Sequence, residues 1–280
     1  MDSTYISIII FLIITGAYYF GLKPSLTVSI LNDKDEYSGY ALKLYATLLV
    51  YFLATILSQF GINISVLIAN CGGSVVKNVA LAAYITFIPW FFIFGALMGI
   101  LMIFPGFKSA FSNVVGYFAV STKANQILTE LLENNEINAE IDSDPEASKN
   151  KASYQSAADA IIKLIGNMSI LINQIVPDNF EEYWTMLTPL MKEKYKIENA
   201  SSELKQQLLD IVVRRDNIGE ALWYIYAAIL IISITQFQLV SNGCQQDIAT
   251  MEANHAKFLK DEDKLIQQDA KLKSTTYTIS

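Results

Sequence analysis

The chain has one histidine and two cysteines in 280 residues, and that scarcity removes most catalytic centres at once. A nucleophile with its base, a zinc site and a disulfide framework all need His, Cys or carboxylate groups at short spacings, and the sequence offers no such cluster. His255 stands between Asn254 and Ala256 in a polar tail, with no second ligand or triad partner beside it. Cys71 and Cys244 lie far apart without metal-type spacing; one bridge between them and two separate thiols are both open readings. Phosphate-cradling glycine loops and nucleophile elbows are also missing, so Asn70-Cys71-Gly72-Gly73 reads as a turn. Positive charge is short as well. The net charge is −7, and the Lys and Arg residues are mixed among acids, so no direct contact with nucleic acid is expected. Catalytic residues, cofactors and metals are all expected to be absent.

What the chain has in abundance is apolar sequence. At 52% hydrophobic and 17% charged residues it is too greasy for an ordinary soluble domain and too charged to lie wholly in lipid. A run of 30 residues without a charge lies between Lys77 and Lys108. Its apolar part, 79–103, is long enough at ~1.5 Å per residue to cross a hydrocarbon core of roughly 30 Å. Pro89 and Gly95 fall inside it, a place where lipid-embedded helices tolerate them, and Pro89 is expected to kink the helix. Pro105-Gly106 stops it. Trp90, Phe104, Phe107, Phe111 and Tyr117 are read as interfacial rings, with Lys108 snorkelling outward among them.

Two further spans precede this one. Residues 3–22 are dominated by Ile, Leu, Phe and Tyr and lack the basic start of a secretory signal, so an uncleaved span is expected, stopped by Pro24. The stretch from Leu26 begins with alternation (Leu26, Val28, Ile30) and reads as a strand or an extended strap. A second span follows at 41–60, with Lys43 snorkelling from its first turn; 61–76 either extends it or dips back into the interface, broken at Gly72-Gly73.

The run Ile88-Pro89-Trp90, then Phe104-Pro105-Gly106-Phe107-Lys108, Phe111-Ser112-Asn113 and Gly116-Tyr117, resembles a segment in uncharacterised membrane proteins of large double-stranded DNA viruses of algae and protists. The resemblance brings a setting and no chemistry. It implies a protein of the lipid layer inside an icosahedral virion, a membrane-embedded minor capsid component whose bilayer derives from the host endoplasmic reticulum.

Residues 108–219 are the principal wet region. Phe111, Val114, Val115 and Phe118, then Ile127, Leu128, Leu131 and Leu132, recur at helical spacing after the exit, so the helix leaving the membrane is expected to be amphipathic, and 134–151 is an acidic loop. Ile161, Ile165, Met168, Ile172 and Ile175 form a heptad seam, read either as an internal packing face or as a surface for self-association. Pro177 ends that helix, and Asp178 with Glu181 reads as a capping box for the next, shortened at Pro189. From Ser202 an apolar period runs on into a fourth span, 220–241, preceded by Arg214 and Arg215 and collared by Trp223, Tyr224 and Tyr226. Residues 242–280 form a polar helical tail.

The expected fold is therefore all-α and polytopic: four spans, with a helical extramembrane domain between the third and fourth. Basic residues gather on the side of that domain, which makes it cytosolic. Thr47, Thr55, Ser58, Gln59, Thr86, Thr235 and Gln236 are the polar groups of note in the spans and read as interhelical glue. No span carries a charge at depth, which argues against a channel or transporter, the competing class. The expected role is structural: linking a bilayer to capsid or other structural proteins.

Overall fold

The computed structural model describes residues 3–71, 75–132, 168–241 and 248–274. Among these the chain is helical and contains no strand; Leu132 and Met191 make an isolated antiparallel bridge. Ten helices are labelled here: α1 (Ser3–Ala17), α2 (Val28–Asn32), α3 (Lys34–Cys71), α4 (Val75–Pro89), α5 (Gly95–Ile103), α6 (Tyr117–Leu131), α7 (Met168–Gln174), α8 (Phe180–Leu187), α9 (Glu198–Ser241) and α10 (Ile248–Ser274). Four stretches are long and apolar enough to cross a membrane: Ser3–Leu22, Lys34–Ala69, Asn78–Ile103 and Ala200–Ser241. Phe20, Leu57, Phe92, Ile103, Phe237 and Val240 are exposed on their outer faces, the belt such a crossing requires.

Within the bundle, the hydrophobic effect gives little reason for helices to associate, because lipid tails are as apolar as the side chains. Shape and polar contacts do that work instead. Phe11 of α1, Tyr51 of α3, Trp90 and Phe94 from the third span and Tyr224 of α9 are each at most 1% exposed and interlock as one aromatic layer. Phe94 lies 5.9 Å from Phe11 and 5.4 Å from Tyr224 between ring centroids, and each such pair is worth about 0.5–1.5 kcal/mol. At the end remote from the wet domain a polar chain joins all four spans. Ser3 donates to Gln236, Gln236 to Asn63 and Asn63 to Thr86, while Gln59 donates to the Ser7 carbonyl.

Among the described residues three π-turns interrupt the helices, at Tyr18–Leu22, Trp90–Phe94 and Ser112–Gly116. The second follows Pro89 directly, so the expected kink takes the form of a widened turn, as happens where a ring removes one ladder donor.

The wet domain has its own core. Leu128 and Leu131 of α6, Ile172 of α7, Phe180 of α8 and Leu209 and Val212 of α9 are almost fully buried together. Leu26 enters the same core, with Val28, Ile30 and Leu31 packed against it. The strand or strap expected there is instead helix α2: the Thr27 hydroxyl accepts from the Ile30 amide, and Asp33 accepts from Asp35 and Glu36 to open α3. Two strong N-caps decide the conformation over a three-residue alternation. Helix α3 continues to Cys71, so the region after residue 60 is an extension of the second span and no re-entrant loop up to that point; 72–74 lie outside the described residues.

Candidate functional site

Helix α9 runs unbroken for 44 residues, ~66 Å, from the wet core into the aromatic layer. Where it crosses between the two it carries Asp216 and Glu220, one turn apart and therefore on one face. Gly219 lies on the same stretch and lets the exit segment approach: a Cβ there would meet Ser112 Cβ at 2.7 Å and the Lys108 carbonyl oxygen at 2.8 Å. Gly116 answers from the other side, its Cβ position 2.6 Å from the Arg215 carbonyl oxygen. Two glycines thus bring two backbones together, and the closeness places Lys108 directly over the carboxylates.

Lys108 Nζ pairs with Asp216 Oδ2 at 3.0 Å and Glu220 Oε2 at 2.9 Å. Lys23, just beyond the first span, reaches Glu220 Oε1 at 2.8 Å, and the Tyr19 hydroxyl donates to the same oxygen at 2.8 Å. Glu220 is only 8% exposed at its side chain, yet it receives three donors from two separate segments. Burial pulls the Lys108 ammonium down, but Glu220 and then Asp216 outweigh it and hold the group above the ordinary lysine value. Lys108 is therefore not a snorkelling cation. Its expected place in the headgroups is corrected by two carboxylates that offer better partners than water.

Arg215, also expected at the interface, is 0% exposed. Its guanidinium turns into the wet domain and donates to the Ile172 and Ile175 carbonyls at the end of α7, where the last-turn oxygens of a helix lack partners and favour a cation. Trp90 is likewise corrected: it is buried in the aromatic layer, not interfacial, because it sits mid-run, far from either charged end. Tyr224, expected in the collar, is buried there too. Phe104 and Phe107 are more than half exposed, Arg214 is exposed, and Tyr117 is partly buried against the wet core. Phe111 packs edge-on against Trp223, whose indole N–H donates to the Phe107 carbonyl at 2.9 Å.

Of the seam, Ile161 and Ile165 lie outside the described residues, as does the side chain of Met168. Ile172 and Ile175 are buried inside the wet core, so that end of the seam packs internally. The loop 134–151 and Cys244 also lie outside the described residues. The capping box expected from Asp178 and Glu181 is replaced: Asn179 Oδ1 accepts from the Val176 amide at 2.7 Å, while Glu181 pairs with Lys205 at 2.7 Å.

Between the wet domain and the span ends lies a cavity of about 280 Å³ lined by Lys23, Lys108, Asp216, Glu220 and several tyrosines. The sequence did contain a signal for it. Two acids at i, i+4 immediately before a long apolar run, with a glycine between them, put a charged face at the start of the fourth span. Among the described residues no group of three or more His, Cys, Asp or Glu side chains is placed to hold a metal ion. Comparison with known proteins returns no matching family model, no matching curated protein and no matching solved structure.

Proposed function

We propose that the chain is a structural membrane protein that couples a bilayer to an adjacent protein layer. The observation that carries this reading is mechanical. One helix, α9, belongs to both the bundle and the wet domain, and the buried Lys23–Glu220–Lys108–Asp216 cluster ties the first span and the third-span exit to it at the crossing point. A loosely hinged domain would need neither. Held this way, the wet domain keeps one attitude to the membrane and presents its outer surface to whatever lies beyond. An icosahedral capsid shell is the layer we favour, on the resemblance of the 88–117 segment, with the bilayer then the internal membrane of the virion.

The competing reading, a channel or transporter, meets an obstacle in the aromatic layer. Glu220 faces a cavity at one end of the spans, but Phe11, Tyr51, Trp90, Phe94 and Tyr224 fill the cross-section beyond it among the described residues. Chemical crosslinking of the protein in its native membrane or particle tests the proposal. One abundant, stoichiometric partner captured through the wet domain supports it; reproducible solute flux through liposomes holding the purified protein, with no such partner, overturns it.

A further inference from the structure

The interfacial cavity does not end at the polar cluster. Its wall includes Tyr45, Leu48 and Met102, and these same three residues line a second space, an apolar groove of about 510 Å³ running between α3 and α5. The groove continues along Phe52, Phe92 and Gly99, all on the span side. Polar chamber and apolar groove therefore adjoin at these three residues, next to the Ile103 end of the third span. Together they fall within the roughly 300–1,000 Å³ typical of ligand sites.

The chamber has a definite chemical character. Among the described residues two ammoniums, Lys23 and Lys108, and three carboxylates, Asp178, Asp216 and Glu220, line it. Lys108 commits two of its three protons to Asp216 and Glu220, and the third is available to an anionic oxygen. Tyr37 and Tyr40 stand 6.2 Å apart between ring centroids on the same wall, with Asp178 among the lining residues, a combination that receives a cationic head through ring faces and a carboxylate. Tyr18 lines the chamber too, with its side chain 1% exposed.

We infer that these two adjoining spaces form one site for one zwitterionic phospholipid, its ammonium-bearing headgroup in the chamber between Lys108 and the Tyr37–Tyr40–Asp178 wall and one acyl chain in the α3–α5 groove. A purely anionic lipid is disfavoured, because carboxylates outnumber ammoniums in the lining. A free phosphate or phosphocholine satisfies the chamber and leaves the groove unused. The inference is independent of the coupling role proposed above: a lipid held here leaves open what the wet domain contacts.

The test uses the full-length protein in detergent, delipidated and then offered phosphatidylethanolamine, phosphatidylcholine, phosphatidylglycerol or free phosphocholine, with native mass spectrometry as the readout. One retained zwitterionic lipid per chain is expected, with phosphatidylglycerol retained roughly tenfold less and phosphocholine alone not retained. Gly99→Phe fills the groove. A Cβ at Gly99 meets nothing within 4 Å, so the ring enters open space, and retention should fall roughly tenfold while the melting temperature holds. Gly61→Phe, equally open but outside the groove, should leave retention unchanged. Asp178→Lys, at an exposed position, should shift preference toward phosphatidylglycerol. Absence of a retained lipid, equal retention of all headgroups, or full retention by a folded Gly99→Phe protein each overturns the inference.

Discussion

Replacing Glu220 with Gln keeps the side-chain shape and removes one charge from a closed, balanced group of four. In the wild type two ammoniums meet two carboxylates, all with side chains no more than 15% exposed. In the variant Lys23 loses its carboxylate partner and Lys108 keeps only Asp216. Stripping one partner from a buried pair costs about 3–5 kcal/mol, mostly as the penalty of a stranded charge, which for a chain of this size lowers the melting temperature by roughly 6–20 °C. Tryptophan fluorescence during heating reports it, since Trp90 sits in the aromatic layer of the bundle and Trp223 packs on the exit segment at Phe111. The charge argument is separated from simple packing by a second change. Lys23→Met added to Glu220→Gln restores the balance, so the double variant should lie above the additive expectation by about 0.5–3 kcal/mol. A Glu220→Gln shift below about 1 kcal/mol, or strict additivity in the double variant, would refute the idea that stranded charge governs this junction.

Gly219→Ala should cost about 1–3 kcal/mol, because the new methyl meets backbone atoms of Lys108 and Ser112; Gly106→Ala, with open space around it, should be silent in the same melt. Arg215→Met leaves the Ile172 and Ile175 carbonyls without their donor at about 1–3 kcal/mol each, and limited proteolysis near the end of α7 should accelerate. Arg215→Lys should not rescue it, since a point donor cannot span two carbonyls as a guanidinium fork does. Lys108 has a raised folded-state value, so its contribution is complete below the ordinary lysine range and fades as pH climbs through the folded value. The melting-temperature gap between wild type and Lys108→Met should therefore stay constant from about pH 7 to 10 and narrow only above that.

The spans were readable because a charge-free run of sufficient length has few other fates in a chain this apolar. Helix α9 was readable as one piece for a related reason: its apolar period between Leu204 and Ile232 lapses only at 214–217 and resumes at Ile218. The charge cluster was not readable in the same way. Lys23 and Lys108 each sit at a span end beside aromatic rings, which is also the pattern of a snorkelling cation, and only the three-dimensional approach through Gly116 and Gly219 decides between the two. Trp90 shows the complementary limit. An aromatic residue beside a proline resembles an interfacial anchor until its distance from the nearest charge is counted, and Lys77 is thirteen residues away, about 20 Å along a helix. The alternation at Leu26, Val28 and Ile30 misled for lack of length, since three residues cannot outvote the caps at Thr27 and Asp33.

The π-turns give the chain a phase that its composition conceals. Each inserts one residue beyond the ordinary helical count, so everything after it is rotated by ~100° relative to an uninterrupted helix. Losing a single residue within Trp90–Phe94 would leave the hydropathy of the third span nearly untouched while swinging Met98 and Leu101 from the bundle toward the lipid. For this molecule, sequence drift by substitution is cheap along much of the outer belt, whereas drift by insertion or deletion at three short windows is not.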